Sequence, residues 1–520
     1  MLLPLAFCRE CGQEYYVVTQ AGNGKAGGHV YAPRDLRERR GAHGETAGYL
    51  FASESNPWPH DLDRDALVQR LPEDWVETSS GEPQIKKSNR DRLPKEVFVG
   101  VDGAEQESGS RYHFIPAPFA FCANCGVAYA GRQPSDYGKL ASLSSEGRST
   151  ATTLLSVAVV QALRATPTLE EKARKLLSFS DNRQDASLQA GHLNDYIEVG
   201  LLRSAVYQAA TAAGNHGITH EVLGQRVFDA LKLPFGLFAV DAEVKFQART
   251  ETDRALREVL LYRLYRDLRR GWRVTAPNLE QCGLLHIDYL SLDELCSAEE
   301  EWRNAHPALA DASPEVRMRV ARNLLDYLRR GLAIKVEALN ESHQESTRHL
   351  SNLRLREPWA IDERENLVHA YVAFPRASRP NETKEYMFVS GRGGFGTYLR
   401  RTGTLPHYPH KQKPVESEQI IRELFEILRV AGLVEPVLEP SDKDDVPGYQ
   451  VPASCFVWRA GDGSDPSRDV IRVLHPPAMQ PRTNPYFTDF YRQPPERLQH
   501  IRAREHTCLL YTSDAADERF

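Results

Sequence analysis

A twelve-residue pattern occurs twice in this chain and constrains its fold more than any other feature. Residues 4–15 read Pro-Leu-Ala-Phe-Cys-Arg-Glu-Cys-Gly-Gln-Glu-Tyr, and residues 118–129 read Pro-Phe-Ala-Phe-Cys-Ala-Asn-Cys-Gly-Val-Ala-Tyr. Both follow Pro-x-Ala-Phe-Cys-x-x-Cys-Gly-x-x-Tyr. Two intervening residues let both thiolates of a turn face one ion, and the glycine permits the positive-φ bend that wraps backbone around it. Two such knuckles supply four soft ligands, Cys8, Cys11, Cys122 and Cys125, the full set of a tetrahedral structural Zn2+ site. A closed four-sulfur set leaves no open position, so catalysis by this metal is not expected. The knuckles lie 110 residues apart, Gly12 to Phe121, and the competing reading is two unrelated Cys pairs, redox-active ones included. The match beyond the cysteines, and the scarcity of disulfides in cytosolic proteins, favour one shared site.

Composition frames the rest. The 520 residues are 41% hydrophobic and 26% charged with a net charge of −6, as in soluble globular proteins, and the length suits three or four domains. Eight Cys in such a length exclude a disulfide framework. No apolar stretch reaches the roughly 18 residues of a membrane span, and Met1–Phe7 has no basic start of a signal peptide. A cytoplasmic protein with no membrane partner is expected. Cys282, Cys296 and Cys455 stand singly among apolar residues and read as core. The stretch 20–115, rich in Gly, Pro, Ser and charge, reads as a loop-rich insertion with short strands such as Glu96–Val101.

Phosphate-binding signatures are missing where an ATPase needs them. No Gly-x-x-x-x-Gly-Lys-Ser/Thr loop and no Asp-Glu-x-Asp/His box occurs, so the chain is not expected to bind and hydrolyse ATP by itself. The Gly22/Gly24/Gly27 and Gly391/Gly393/Gly396 runs lack the flanking strand and long helix of a dinucleotide fingerprint and read as loops.

Residues 149–163 read as a helix capped by Ser149 or Thr150. Lys175–Phe179 is a short apolar run that fits a buried parallel strand, and the polar Ser180–Asp185 stretch opens another helix. Helix–strand–helix with polar residues at the strand's carboxyl end is α/β, and open parallel sheets place ligands at that edge. From about 200 to 345 the apolar period is helical, clearest over Ala255–Arg270 and Pro314–Arg330, the latter with Ser313 as cap and Gly331 as stop. The arginines and tyrosines of Tyr262–Arg273, with Arg317, Arg319, Arg322, Arg329 and Arg330, fit either a nucleic-acid face or a solvated helix face with local ion pairs. Over 418–460, a helix stripe ending at Gly432 is followed by β-segments Leu433–Leu438 and Tyr449–Trp458. That order is the signature of a winged helix, with the acidic 439–447 turn favouring internal packing over a grip on DNA. Pro-rich 475–495 reads as a linker.

The run Lys175-Leu-Leu-Ser-Phe-Ser-Asp-Asn-Arg-Gln-Asp-Ala186 resembles motif IV of superfamily 2 DEAD/DEAH-box helicases, at the start of their second RecA-like domain. Ser145–Thr153, Gln189–Asp195 and Leu498–Thr507 resemble segments of a group of very large bacterial helicases that interrupt this domain with zinc-binding and helical insertions. The resemblance implies that Ser180, Asn182 and Arg183 grip the nucleic-acid backbone, with Arg148 at the opening of the preceding helix doing the same. Orphan N–H groups and guanidinium suit phosphate. Caps formed by Asp181 and Asp185 are the structural alternative. Cys508–Phe520 resembles translated sequencing adapter, which makes 508–520 an artefact and Thr507 the point where a longer gene is cut.

The expected fold is therefore mixed α/β and helix-rich: a partial RecA-like α/β domain with a zinc-knuckle insertion, a helical region and a candidate winged helix. The expected segments are 1–140 (zinc-binding insertion), 141–200 (start of the RecA-like domain), 201–415 (helical insertion), 416–465 (winged helix) and 466–507 (return to the core). The expected function is part of an ATP-dependent helicase or translocase, inactive alone, with nucleic acid, DNA foremost, as partner. ATP and Mg2+ belong only to the full-length parent, with its missing first RecA-like domain. The alternative is a free-standing zinc and winged-helix nucleic-acid-binding or adaptor protein.

Overall fold

A computed structural model describes residues 2–9, 12–22, 28–36, 38, 44–54, 56–60, 66–67, 70–72, 75–77, 84–124, 129, 136, 138–142, 145–179, 183–269, 276–379, 382–383, 385–401, 403–408, 412–440, 446–471 and 483–505. The class is mixed α/β, with several sheets and long helices. The chain divides into two compact units. The first is Met1–Arg148 with Thr397–Arg401 and Arg468–Pro481; the second is Ser149–Gly396 with Thr402–Ser467 and Arg482–Phe520. Among the described residues no helix is long and apolar enough to cross a membrane.

The first unit is built on a 7-stranded sheet. Its strands are β1 (Leu5–Cys8), β2 (Glu14–Gly22), β3 (His29–Pro33), β4 (Glu45–Phe51), β5 (Lys95–Val99), β6 (Ser110–Pro116) and β7 (Leu140–Ser142). The order is β5-β6-β4-β2-β1-β7, with β3 also on β2, and every pairing is antiparallel. Successive strand residues face opposite sides, and here both sides are covered. Tyr15, Val17, Tyr49, Phe51 and Ile115 enter one core with Cys8 and Cys122; Val18, Leu50 and Phe114 enter another with Tyr31, Val97 and Val99. Within 20–115 a short strand, Lys95–Val99, lies where Glu96–Val101 is expected, and β3, β4 and β6 add others. Strands buried on both faces carry continuous apolar runs such as Tyr15–Val18 and Tyr49–Phe51, and these lack the alternation that marks a half-exposed strand.

The second unit opens with α1 (Ser145–Ala165), which crosses the boundary, and α2 (Arg183–Ala213). It continues with β8 (Ile218–Thr219), α3 (His220–Leu231), α4 (Phe246–Asp267), β9 (Leu285–Tyr289), α5 (Pro314–Arg330), β10 (Ile334–Lys335) and α6 (Glu341–Arg354). Then come β11 (Val372–Phe374), β12 (Tyr386–Phe388), α7 (Pro414–Val430), β13 (Glu435–Leu438), β14 (Gly448–Pro452), β15 (Phe456–Ala460) and α8 (Pro485–Arg492). Helix α5 has the expected bounds, with Pro314 at its start and Val320, Leu324 and Leu328 fully buried on one face. Its stop works differently from the expectation. Gly331 has φ −83°, and the left-handed position falls on Leu332 at φ 58°. Gly331 is needed for space: a Cβ there would sit 2.6 Å from Met387 Sδ.

The winged-helix expectation is corrected in its second strand. α7 and the β13–β14 antiparallel pair follow in order, and Gly432 takes φ +73° after the helix. Tyr449–Trp458, however, is two strands. Pro452 lacks the N–H that would extend the ladder, a 3-10 turn over Ala453–Cys455 follows, and the strands join different sheets. β14 is buried at all five residues within a 5-stranded sheet of order β10-β14-β11-β12 with β13 on β14. β15 is the centre of the antiparallel sheet β8-β15-β9. β13, by contrast, alternates between half-buried and exposed residues.

Candidate metal centre

The first knuckle is set by β1 and β2. Cys8 ends β1, its N–H donates to the Gln13 carbonyl (2.8 Å), and Gly12 N–H donates to the Cys8 carbonyl (2.8 Å). Gly12 takes φ +74°, the bend its place after the Cys pair demands. Ala6 lies opposite Tyr15 in the β1–β2 ladder, so Cys8, two residues on, shares that buried face.

Tyr15 leads from there to the second knuckle. Its hydroxyl lies 3.1 Å from Cys122 Sγ and accepts the Ala123 N–H at 2.9 Å, across 107 and 108 residues of sequence. Cys8 and Cys122 are both fully buried in the same core. The backbone of the second knuckle is clamped from outside. Asn56 Nδ2 donates to the carbonyl of Asn124 (3.0 Å), Arg70 donates to the Asn56 side chain (2.7 Å), and Arg70 also donates to the Ala123 carbonyl. Burial pulls the Arg70 pKa below its ordinary value, with Cys122 and Tyr15 acting in the opposite sense. Asp136 anchors the segment before Cys122. It accepts from Phe119 N–H (2.9 Å), from Tyr49 Oη (2.6 Å) and from the buried Lys139 Nζ (3.0 Å), which also donates to the Phe119 carbonyl (2.8 Å).

Cys11 and Cys125 lie outside the described residues. Among the described residues no group of three or more His, Cys, Asp or Glu is placed to hold a metal. The part that is described fits zinc in donor chemistry: two buried sulfurs in one core, a knuckle glycine in the left-handed region, and a hydroxyl within hydrogen-bond reach of one sulfur. Of the other cysteines, Cys282 and Cys296 are core as expected, whereas Cys455 is half-buried and its thiol donates to the Gly432 carbonyl (3.3 Å). The second-knuckle clamps Asn56, Arg70 and Asp136 carry no sequence signal of their own. Tyr15 does, as the last residue of the repeat.

The motif IV turn is less defined. Ser180 and Asn182 lie outside the described residues. Arg183 is the first residue of α2 and Arg148 lies in the first turn of α1, with the side chains of both outside the described set. α1 begins at Ser145, four residues before the expected cap; Ser145 and Glu146 are themselves favourable helix-start residues. The expected buried strand Lys175–Phe179 is not formed. The segment is exposed, Leu177 to 74% and Phe179 to 91%, and no described strand pairs with it. A parallel strand exists only where a neighbour supplies its ladder.

Arg203, Arg317 and Arg329 of the helical region serve the interior, while Arg319 is exposed and Arg322 is partly exposed in an ion pair. Arg203 donates to Asp267 at both oxygens (2.9 and 2.7 Å), to Tyr491 Oη (2.7 Å) and to the Pro277 carbonyl (2.8 Å). Arg317, fully buried, donates to Glu299 (2.8 Å) and the Leu309 carbonyl (3.0 Å). Arg319 donates to the Thr404 carbonyl (2.7 Å), and Arg322 to Asp288 (2.7 Å). Neither the nucleic-acid face nor the solvated face describes Arg317 and Arg329, which are core residues.

Comparisons with protein-family models, with curated proteins and with solved structures found no match to this chain.

Proposed function

We propose that this chain is the zinc-stapled, strand-contacting part of an ATP-dependent nucleic-acid helicase or translocase acting on DNA. The observation that carries the reading is the meeting of two distant knuckles: Tyr15 of the first against Cys122 of the second, with Cys8 and Cys122 in one core. Cys8, Cys11, Cys122 and Cys125 would hold the zinc, which supplies cross-linking of the first unit and no chemistry. Support for the helicase half is the Lys175–Ala186 run and the start of α2 at Arg183, since the start of a helix and an arginine are both suited to a phosphate. Leu176, Leu177 and Phe179 are side chains a strand buries once neighbours flank it, as in a completed RecA-like sheet. ATP and Mg2+ would bind with a first RecA-like domain carrying the phosphate loop.

The test of the helicase half is the DNA flanking the gene. A phosphate loop and an Asp-Glu-x-Asp/His box are expected upstream in frame, and a Gln-x-x-Gly-Arg-x-Gly-Arg-like run downstream. Stop codons close on both sides of an adapter-free assembly would overturn it. The purified chain is expected to show no ATP turnover, with or without DNA, in a phosphate-release assay. Arg183→Ala is expected to weaken single-stranded DNA binding across all sequences and to lower the slope of log affinity against log salt by about 0.7, the value for one lost phosphate contact on a single strand. An unchanged slope would remove Arg183 from the interface.

A further inference from the structure

We propose that Tyr15 is a positioning residue of the metal centre, whose hydroxyl donates a hydrogen bond to the Cys122 sulfur and tunes its bond to the metal. This rests on the zinc reading above and goes beyond the four ligands. A metal-bound thiolate carries no hydrogen, so at 3.1 Å the Tyr15 hydroxyl is the donor. The oxygen is held in place by the Ala123 N–H at 2.9 Å, which comes from the residue next to the ligand. The ring is fully buried and packed against Phe51, Tyr49 and Phe119 at 5.6, 6.5 and 5.1 Å between centroids. Hydroxyl, sulfur and amide therefore keep their relation without further ordering, and a donor aimed at an anionic sulfur is a strong, charge-assisted one.

The repeat supplies a second tyrosine for comparison. Tyr129, the matching residue of the second knuckle, directs its hydroxyl to the Lys139 carbonyl at 3.5 Å, and that carbonyl also accepts the Arg9 N–H of the first knuckle at 3.2 Å. Tyr15 therefore contacts a sulfur of the opposite knuckle, whereas the Tyr129 hydroxyl contacts the Lys139 carbonyl that also holds the Arg9 N–H. The duplicated tyrosine is a brace in one copy and a brace plus sulfur donor in the other.

The experiment compares the full chain with Tyr15→Phe and Tyr129→Phe after loading with Zn2+ and, separately, Co2+. Outer-shell partners of ligands typically govern metal affinity by about 10–100-fold. Tyr15→Phe is expected to bind one metal ion about 10-fold more weakly in chelator competition. Its sulfur-to-cobalt charge-transfer band is expected to move to lower energy, because the sulfur loses a donor that stabilised its electrons. Tyr129→Phe is expected to leave the band in place. A wild-type chain that binds neither ion overturns both the zinc reading and this inference. A wild-type chain that binds metal while Tyr15→Phe keeps affinity and band unchanged overturns this inference alone. Should Tyr15→Phe fail to fold, the wild-type chain loaded with 113Cd and labelled at tyrosine decides. A slowly exchanging Tyr15 hydroxyl proton coupled to cadmium is expected, and its absence overturns the assignment.

Discussion

Cys122→Ser is expected to release zinc from the purified chain and to unfold the first unit while the second stays folded. Metal analysis should fall from about one ion per chain to none. Calorimetry or urea titration should lose one of two transitions. The expected size follows from comparing two energies. Structural zinc sites of zinc-finger peptides contribute about 10–16 kcal/mol of apparent binding free energy at neutral pH, whereas whole domains are stable by only about 5–15 kcal/mol. Loss of one ligand from the buried site therefore removes a term as large as the stability of the unit. Cys8→Ser should behave alike. Cys282→Ser, a core cysteine of the second unit, should leave the metal content unchanged. The second unit has its own core, around Leu324, Leu424, Leu428 and Trp458, which contains no knuckle. A first unit that keeps its sheet without metal would end the zinc proposal.

Arg329→Met is the second large effect and falls on the other unit. Arg329 is fully buried and donates to both oxygens of Glu280 (2.8 and 2.7 Å), to Asp326 (2.9 Å) and to Tyr289 Oη (3.2 Å). Removing one partner of a buried pair leaves the other as an uncompensated charge, at about 3–5 kcal/mol. Unfolding free energies from urea titration at neutral pH should fall by that amount for the second unit and not for the first. Burial alone would raise the Glu280 pKa; Arg329 and Arg330 outweigh it and hold the carboxyl down to about 2, from an ordinary 4.5. A carboxyl depressed in the folded state contributes stability that is complete above its unfolded value and lost as pH falls through its folded one. The wild-type second unit should therefore lose stability from about pH 4.5 downward to about pH 2. The deficit of Arg329→Met relative to wild type should shrink over that window. Glu280→Met added to Arg329→Met should recover part of the loss. A deficit independent of pH would show that packing, and not the ion pair, sets the effect.

How far the sequence reaches is plain in particular residues. The repeat pointed to a shared site, and the structure brings the Tyr of one copy against the Cys of the other. The start of α5 and the end of α7 followed from local chemistry, Pro314 and Gly432. What failed was non-local. Arg329 finds Glu280 across 49 residues, and Arg203 finds Asp267 across 64; a guanidinium in a helix reads as surface until its acid is known. Pro452 ends one strand and the chain enters a second sheet, a switch no periodicity announces. Lys175–Phe179 has the composition of a buried strand but no described neighbour to pair with. Strand composition is a property of five residues, and a strand is a property of a sheet.

The contact of Tyr15 with the second knuckle also dictates an order of events during synthesis. Tyr15 has no sulfur to address until 107 more residues have left the ribosome. Strand β1 has no β7 neighbour until residue 140 emerges. Closing so long a loop is slow because its entropy must be spent before the contact forms. If the proposed zinc site is right, the nascent Cys8–Cys11 pair waits as a half-clasp, open to oxidation or to premature capture of metal. The residues that follow Phe121 decide when it shuts.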